Sequence, residues 1–234
     1  MDDNSKYIGA YADLLTQVAE NVEAVYAAGV KSEYDRFWDN YQQNGVRANY
    51  DQAFSYNWND ELFNPKYDLI AKSCSMMFQY TSITDLKDKL ENKGLKLDTS
   101  QATSLLQMFQ GANIIHIPEI DAQKATNMSY AFGSNCKAVT IDKLIVSENT
   151  VLGTTTFNQA GKLENIVIEG TIASPIDLHW STKLTHESLM SFINALKDFS
   201  GTTTTKTCTL GATNLAKLTD TEKAIATEKG WTLA

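Results

Sequence analysis

The stretch "IDAQKATNMSYAF", residues 120–132, restates the pattern of "LDTSQATSLLQMF", residues 97–109. All aligned residues are separated by the same offset of 23 positions. Four aligned pairs share their chemistry, namely Asp98 with Asp121, Thr103 with Thr126, Leu105 with Met128, and Phe109 with Phe132. A joint match at one offset indicates an internal repeat rather than the chance recurrence of an aromatic residue.

The final Phe of this pattern recurs along much of the chain. Its copies are Phe54, Phe78, Phe109, Phe132 and Phe157, separated by 24, 31, 23 and 25 positions. A period in the twenties is typical of a solenoid, in which each repeat supplies a short strand and a return segment and cannot bury its apolar face alone. We therefore predict an α/β fold with a short solenoid whose Phe side chains form a buried column.

The interval of 31 positions holds additional residues, "ITDLKDKLENKGL", residues 83–95. Leu86 and Leu90 are spaced as on one face of a helix, and Gly94 is suited to end that helix. We predict a short helix here in place of an ordinary return segment.

These repeats resemble leucine-rich repeats of the BspA type. The shared pattern is an Ala-Phe or Met-Phe pair, a short polar turn and then Leu-x-x-Ile-x-Ile, over roughly residues 50–172. The Cys that this family carries in its turn is present once, as Cys136. The resemblance implies a leucine-rich-repeat solenoid as the central part of the chain.

Residues 5–30 carry apolar side chains at two positions of a heptad, over about three heptads. These residues are Ile8, Tyr11, Leu15, Val18, Val22 and Val25. They predict a coiled-coil-like helix within an N-terminal oligomerisation segment, residues 1–46. Because β-branched Val at the second core position disfavours two strands, we predict a homotrimer. The alternative is that this helix packs against the repeats of its own chain.

Aromatic residues are concentrated between Arg47 and Tyr67. One interpretation is a cap for the open edge of the solenoid, which we place at residues 47–182, because terminal repeats need such caps. The other is a surface that recognises carbohydrate or protein, since Tyr and Trp combine a large contact area with a polar tip. The candidate ligand-binding residues are Tyr56, Trp58 and Trp180.

Residues 183–234 predict a C-terminal cap with the order helix, strand, helix, strand. Thr185 precedes the helical pattern of "HESLMSFINALKDF", and "KTCTLG" alternates as a strand does. A second helix is predicted to begin at Thr219, with Glu222 completing a capping box, and "WTLA" to form the last strand.

Both ends of the chain also resemble proteins encoded by phages and prophages of Gram-positive gut bacteria. The shared segments are "EYDRFWDNYQ", "SLMSFINALKD" and "TLGATNLAKLTDTEKAIATEKGWTL". Such proteins are similar to tail-associated or baseplate-associated virion components. The resemblance implies a structural or host-binding part of a phage tail, located in the virion. Its implied partners are other tail proteins and a host-surface carbohydrate or protein.

The composition disfavours several classes of partner and location. The net charge of −8 argues against nucleic acid and against an anionic membrane surface. The acidic N-terminus lacks the features of a signal peptide, which predicts synthesis in the host cytoplasm, and no segment reaches the roughly 18 apolar residues of a membrane span. The widely spaced Cys74, Cys136 and Cys208 are predicted to be buried thiols.

Motifs of catalysis, cofactor binding and metal binding are not found in the sequence. The three histidines are not spaced as metal ligands, and GxSxG, Walker A and GxGxxG patterns are absent. We predict a non-enzymatic phage tail, baseplate or receptor-binding protein without a cofactor. The alternatives are a bacterial adhesion module with BspA-type repeats and, less favoured, a glycan-degrading tail enzyme that uses two carboxylates.

Overall fold

The computed structural model describes residues 48–56, 58 and 60–234, together with four residues nearer the N-terminus. The chain divides into two compact units, Met1–Gln43 and Asn44–Ala234. In the first unit, Gln17, Glu20, Asn21 and Ala24 are helical and exposed. The six heptad residues predicted to join protomers lie outside the described residues, so the coiled coil and the homotrimer stay predictions. The second unit contains both the predicted repeats and the predicted C-terminal cap.

The second unit is a mixture of helices and parallel strands, which confirms the predicted α/β class. Every strand pair among the described residues is parallel. No helix in this part of the chain is long and apolar enough to cross a membrane. The strands are β1 (Ala48–Asn49), β2 (Leu69–Ser73), β3 (Leu97–Asp98), β4 (His116–Ile117), β5 (Ile120–Asp121), β6 (Thr140–Val146), β7 (Asn165–Gly170), β8 (Ile176–Asp177), β9 (Lys206–Thr209) and β10 (Trp231–Leu233). The helices are α1 (Leu86–Glu91), α2 (His186–Ala195), α3 (Gly211–Leu215) and α4 (Asp220–Glu228).

The strands pair in the order in which the repeats follow one another. One sheet has the order β1-β2-β3, a second places β4, β5 and β7 around β6, and a third has the order β8-β9-β10. Ile120 lies opposite Leu144, which lies opposite Ile168. All three side chains are buried, so equivalent apolar positions of successive repeats stack in one core.

Leu105 and Phe109, four positions apart, each begin a tight turn. In the repeat at 105–112, the N–H of Met108 donates to the carbonyl of Leu105 over 3.1 Å, and the next turn begins at Phe109. The third residue of each turn, Gln107 and then Gly111, has a positive φ of 54° and 62°. A positive φ at this position is typical of type II turns. The first residue of each turn, Leu105 or Phe109, is fully buried.

The predicted column of buried Phe residues is confirmed. Its ring centroids are separated by 5.3, 5.4, 5.8 and 5.3 Å, with the ring planes inclined by 27° or less. The column consists of Phe54, Phe78, Phe109, Phe132 and Phe157, none more than 1% exposed. Phe192 of α2 meets Phe157 edge-on at 5.7 Å, so a helix replaces the next stacked ring.

Two strips of backbone hydrogen bonds join each repeat to the next, and they run in opposite directions. In the turns, N–H groups donate to the following repeat, as Phe109 does to the carbonyl of Ala131 over 2.8 Å. In the segments before the strands, N–H groups donate to the preceding repeat, as Lys137 does to the carbonyl of Ala112 over 2.9 Å. Other forward donors are Phe54, Phe78 and Phe132; other backward donors are Asn113, Val139 and Glu164.

The predicted helix in the long interval is confirmed as α1. Its buried residues are Leu86 and Leu90, the pair on which the prediction rested. Gly94 follows with φ of +67°, a left-handed conformation that glycine adopts without a Cβ clash.

The C-terminal segment has the predicted helices and strands and one helix more. Thr185 caps α2 by accepting the N–H of Ser188, and Thr219 with Glu222 forms the predicted capping box of α4. The additional helix is α3, which the sequence pattern does not predict. Its Asn214 is buried and donates to three backbone carbonyls, so a polar side chain fixes this helix against its surroundings.

Candidate functional site

Tyr56 and Tyr80 form an exposed aromatic pair in successive repeats. Each follows a Phe of the column by two positions, and their φ angles are 57° and 50°. The ring centroids are 5.5 Å apart, and the residues are 56% and 44% exposed. The ring of Tyr80 lies over Gly111, where a Cβ atom would come within 2.2 Å of the ring. Because Gly111 has no Cβ atom, the ring of Tyr80 can occupy this space.

Trp58 does not belong to an exposed surface, so its prediction as a ligand-binding residue is corrected. Its side chain is 7% exposed and meets Phe54 edge-on at 5.1 Å. Phe63 meets the same ring at 5.2 Å. Among the described residues, Phe54 is the first ring of the column, and no earlier repeat covers it. Trp58 and Phe63 provide that cover, so burial supports the cap interpretation at these two residues.

Trp180 is exposed as predicted, but it stands at the other end of the run of repeats from Tyr56. It is 47% exposed and lies 4.7 Å from the ring of His179. His179 is positioned by Asp177, whose Oδ1 is 2.5 Å from Nδ1 of the imidazole and accepts the backbone N–H at 3.0 Å. The three predicted ligand residues therefore do not form one site.

Three departures from the regular repeat meet at a groove of about 360 Å³. The first is α1, whose C-terminal end forms one wall. The second is the pair Pro118 and Glu119, which separates β4 from β5. The third is a β-bulge in β6, where Asp142 and Lys143 stand opposite the single residue Val167 of β7. Bulges commonly redirect side chains beside functional sites, so this groove is a candidate binding site.

Asp142 is held at the groove by two basic side chains. Its Oδ1 lies 2.5 Å from Nε2 of His116, and its Oδ2 lies 2.9 Å from Nζ of Lys87. Burial acts to raise the pKa of Asp142, but the hydrogen bonds from Lys87 and His116 outweigh burial and hold this pKa below its ordinary value of 3.8. The hydrogen bond to Asp142 in turn raises the pKa of Lys87. Asp142 is therefore a carboxylate at neutral pH.

Lys143 links the bulged strand β6 to a residue of β7 and to a residue between β4 and β5. Its Nζ is 3.0 Å from Glu169 and 3.3 Å from Glu119. Hydrogen bonds to these two carboxylates raise the pKa of Lys143. The two residues of the bulge thus carry opposite charges, each compensated by neighbours, and both line the groove.

Nothing in the described part of the chain is arranged as a metal centre or as an activated thiol. Within residues 48–56, 58 and 60–234, no group of three or more His, Cys, Asp or Glu side chains could hold a metal ion. The predicted buried thiols are confirmed at Cys74, Cys136 and Cys208. Burial raises their pKa values to about 12, about 11 and about 12, so the nucleophilic thiolate is scarce at neutral pH.

Sequence reasoning missed Tyr80 and the groove, for different reasons. Tyr80 follows Phe78 at the spacing by which Tyr56 follows Phe54, so alignment of the two earliest repeats contains the signal. The groove depends on which residues of β6 lie opposite β7, and short apolar strands do not disclose that register.

Comparisons with known proteins identify no relative for the chain. No family model matches it, and neither a curated protein nor a solved structure shows significant similarity.

Proposed function

We propose that the chain is a non-enzymatic component of a phage virion, a tail, baseplate or receptor-binding protein. Its repeats would form a BspA-type leucine-rich solenoid that presents a surface to the host or to neighbouring virion subunits. The resemblance of both chain ends to phage tail proteins supports the class of particle. The observation that carries the binding role is the exposed pair of Tyr56 and Tyr80.

The pair has the properties of a recognition surface rather than of a structural contact. Both rings lie outside the Phe column and expose about half of their surface. A positive φ also occurs at Gln107 and Tyr130, so it is exposure rather than backbone conformation that distinguishes the pair. Paired rings suit the apolar face of a sugar or an apolar group on a protein surface, since Tyr combines contact area with a hydroxyl.

Substitution of both tyrosines by asparagine tests the binding role. Asn tolerates a positive φ, so Tyr56→Asn with Tyr80→Asn removes the rings while keeping the backbone conformation. We expect adsorption of purified protein to host cells to fall by about tenfold or more, as for loss of an aromatic hot spot. The matched control is Tyr130→Asn, because Tyr130 has φ of 55° as the third residue of the turn that precedes Phe132 and is less exposed. Equal adsorption by the double variant and the control would contradict the proposal.

The proposed assembly is a homotrimer joined through the N-terminal heptads. Light scattering of the full chain should give three times the monomer mass, and Val18→Asp should reduce that mass because it places a charge in the apolar seam. A wild-type monomer would contradict the trimer. Labelling of purified virions with an antibody to this chain tests the location in the tail.

A further inference from the structure

The irregular segments of an otherwise repetitive structure border the groove beside α1. The extra helix, the break at Pro118–Glu119 and the bulge at Asp142–Lys143 all border it. Each irregularity departs from the local pattern that the other repeats obey, and such departures in natural proteins are concentrated at functional sites. The volume of about 360 Å³ lies in the range of sites for small molecules.

The groove offers an aliphatic contact surface. Its accessible part consists of Leu95 and Pro118, which are half-buried. Leu90 of α1 and Leu97 of β3 lie beneath them in the lining and are buried, with 1% and 7% exposure. Among the described residues, no aromatic ring lines the groove, so stacking of a sugar or a base is not the interaction that this lining provides. Its apolar lining suits an aliphatic side chain.

Charges of both signs border this aliphatic surface. Lys96 lines the groove, and within the described residues its ammonium has no carboxylate within 4.0 Å. Glu91 lines it as well, with a single contact of 3.7 Å to Lys87. Glu119 uses one oxygen, Oε2, for Lys143 and keeps the other available. One ammonium and two partly engaged carboxylates are therefore left for a ligand.

From this combination we infer that the groove binds a short zwitterion with an aliphatic side chain, either a free amino acid or a short peptide. The ligand carboxylate would pair with Lys96, its ammonium with the free carboxylate oxygen of Glu119, and its side chain would contact Leu95 and Pro118. A ligand with one charge would form one ion pair fewer in the groove, and because these charges are exposed, each such pair adds a modest amount to affinity. This inference goes beyond the proposed function and does not depend on it, because the groove does not include the Tyr56–Tyr80 pair.

Calorimetric titration of the full chain with leucine and with leucylglycine tests the inference. We expect at least one of them to bind. N-acetylleucine, which lacks the ammonium, and leucinamide, which lacks the carboxylate, should bind about three- to fivefold more weakly. Binding of leucine identifies the ligand as a free amino acid, and binding of the dipeptide alone identifies a short peptide. Failure of both at millimolar concentration, or equal binding of the capped compounds, would overturn the inference.

Two variants locate the binding in the groove. Lys96→Met keeps the aliphatic stem of Lys96 and removes its ammonium, and Glu119→Gln removes a carboxylate. Each should weaken binding of the zwitterion by about three- to fivefold. The matched control is Lys162→Met, an exposed lysine that does not line the groove. Urea melts establish that all variants are folded. If Lys96→Met binds leucine and leucylglycine as tightly as Lys162→Met does, the site is not this groove.

Discussion

The regular turns at 105–112 and 128–131 and the interrupted region around α1 use their side chains in different ways. In the turns, a residue has the same role as its counterpart in the next repeat: Leu105 and Met128 are both buried, and Phe109 stacks on Phe132. In the interrupted region the contacts are individual, as between Lys87 of α1 and Asp142 of β6. The equivalent residues of successive repeats form the core of this molecule, whereas the irregular segments form a groove with charges of both signs.

The largest expected effect is on the repetitive side of this comparison. Phe132→Ala should lower the free energy of unfolding by roughly 3–5 kcal/mol, because it leaves a cavity between two stacked rings. Val167→Ala, at a position 52% exposed, is the control and should change it by less than about 0.5 kcal/mol. Urea denaturation measures both. A loss below about 1 kcal/mol for Phe132→Ala would show that the column does not carry the core.

Two glycines give a matched pair with one member in each region. Gly94 ends the interrupted segment with φ of +67° and would place a Cβ in open space, whereas Gly111 has φ of +62° and faces the ring of Tyr80. Ala at either position should cost about 1–2 kcal/mol for the left-handed backbone. Only Gly111→Ala should also displace Tyr80. Near-ultraviolet circular dichroism detects this displacement, and identical tyrosine signals in the two variants would contradict it.

The smallest expected effect concerns the charge cluster of the groove and depends on pH. Because the pKa of Asp142 is lowered in the folded state, the carboxylate contributes stability above its ordinary value of 3.8, and this contribution is lost as pH falls through the lowered pKa. Asp142→Asn should therefore be less stable than the wild type near neutral pH. The difference in urea midpoint should shrink below pH 3.8. A constant difference across the acid range would show that the loss comes from packing rather than from charge.

The sequence discloses what depends on spacing and local capping. The Phe period predicted the column, Leu86 and Leu90 predicted α1, and Thr185 and Thr219 predicted the starts of two helices. Features that depend on contacts between neighbouring repeats could not be predicted from the sequence. Trp58 was interpreted as exposed because aromatic composition cannot distinguish a cap over Phe54 from a binding surface. The groove required the register of β6 against β7, and the heptad residues remain a prediction.

The opposite directions of the two hydrogen-bond strips have an electrostatic consequence. In an α-helix all peptide dipoles align, so partial charges appear at its two ends. Here the peptides of the turns point toward the following repeat and those before the strands toward the preceding one, as the bonds from Phe109 and Lys137 show. Their dipoles oppose one another in the repeats where both strips are present. We therefore expect that adding a repeat would not increase a macrodipole along the stack. A growing macrodipole would then not limit the number of repeats.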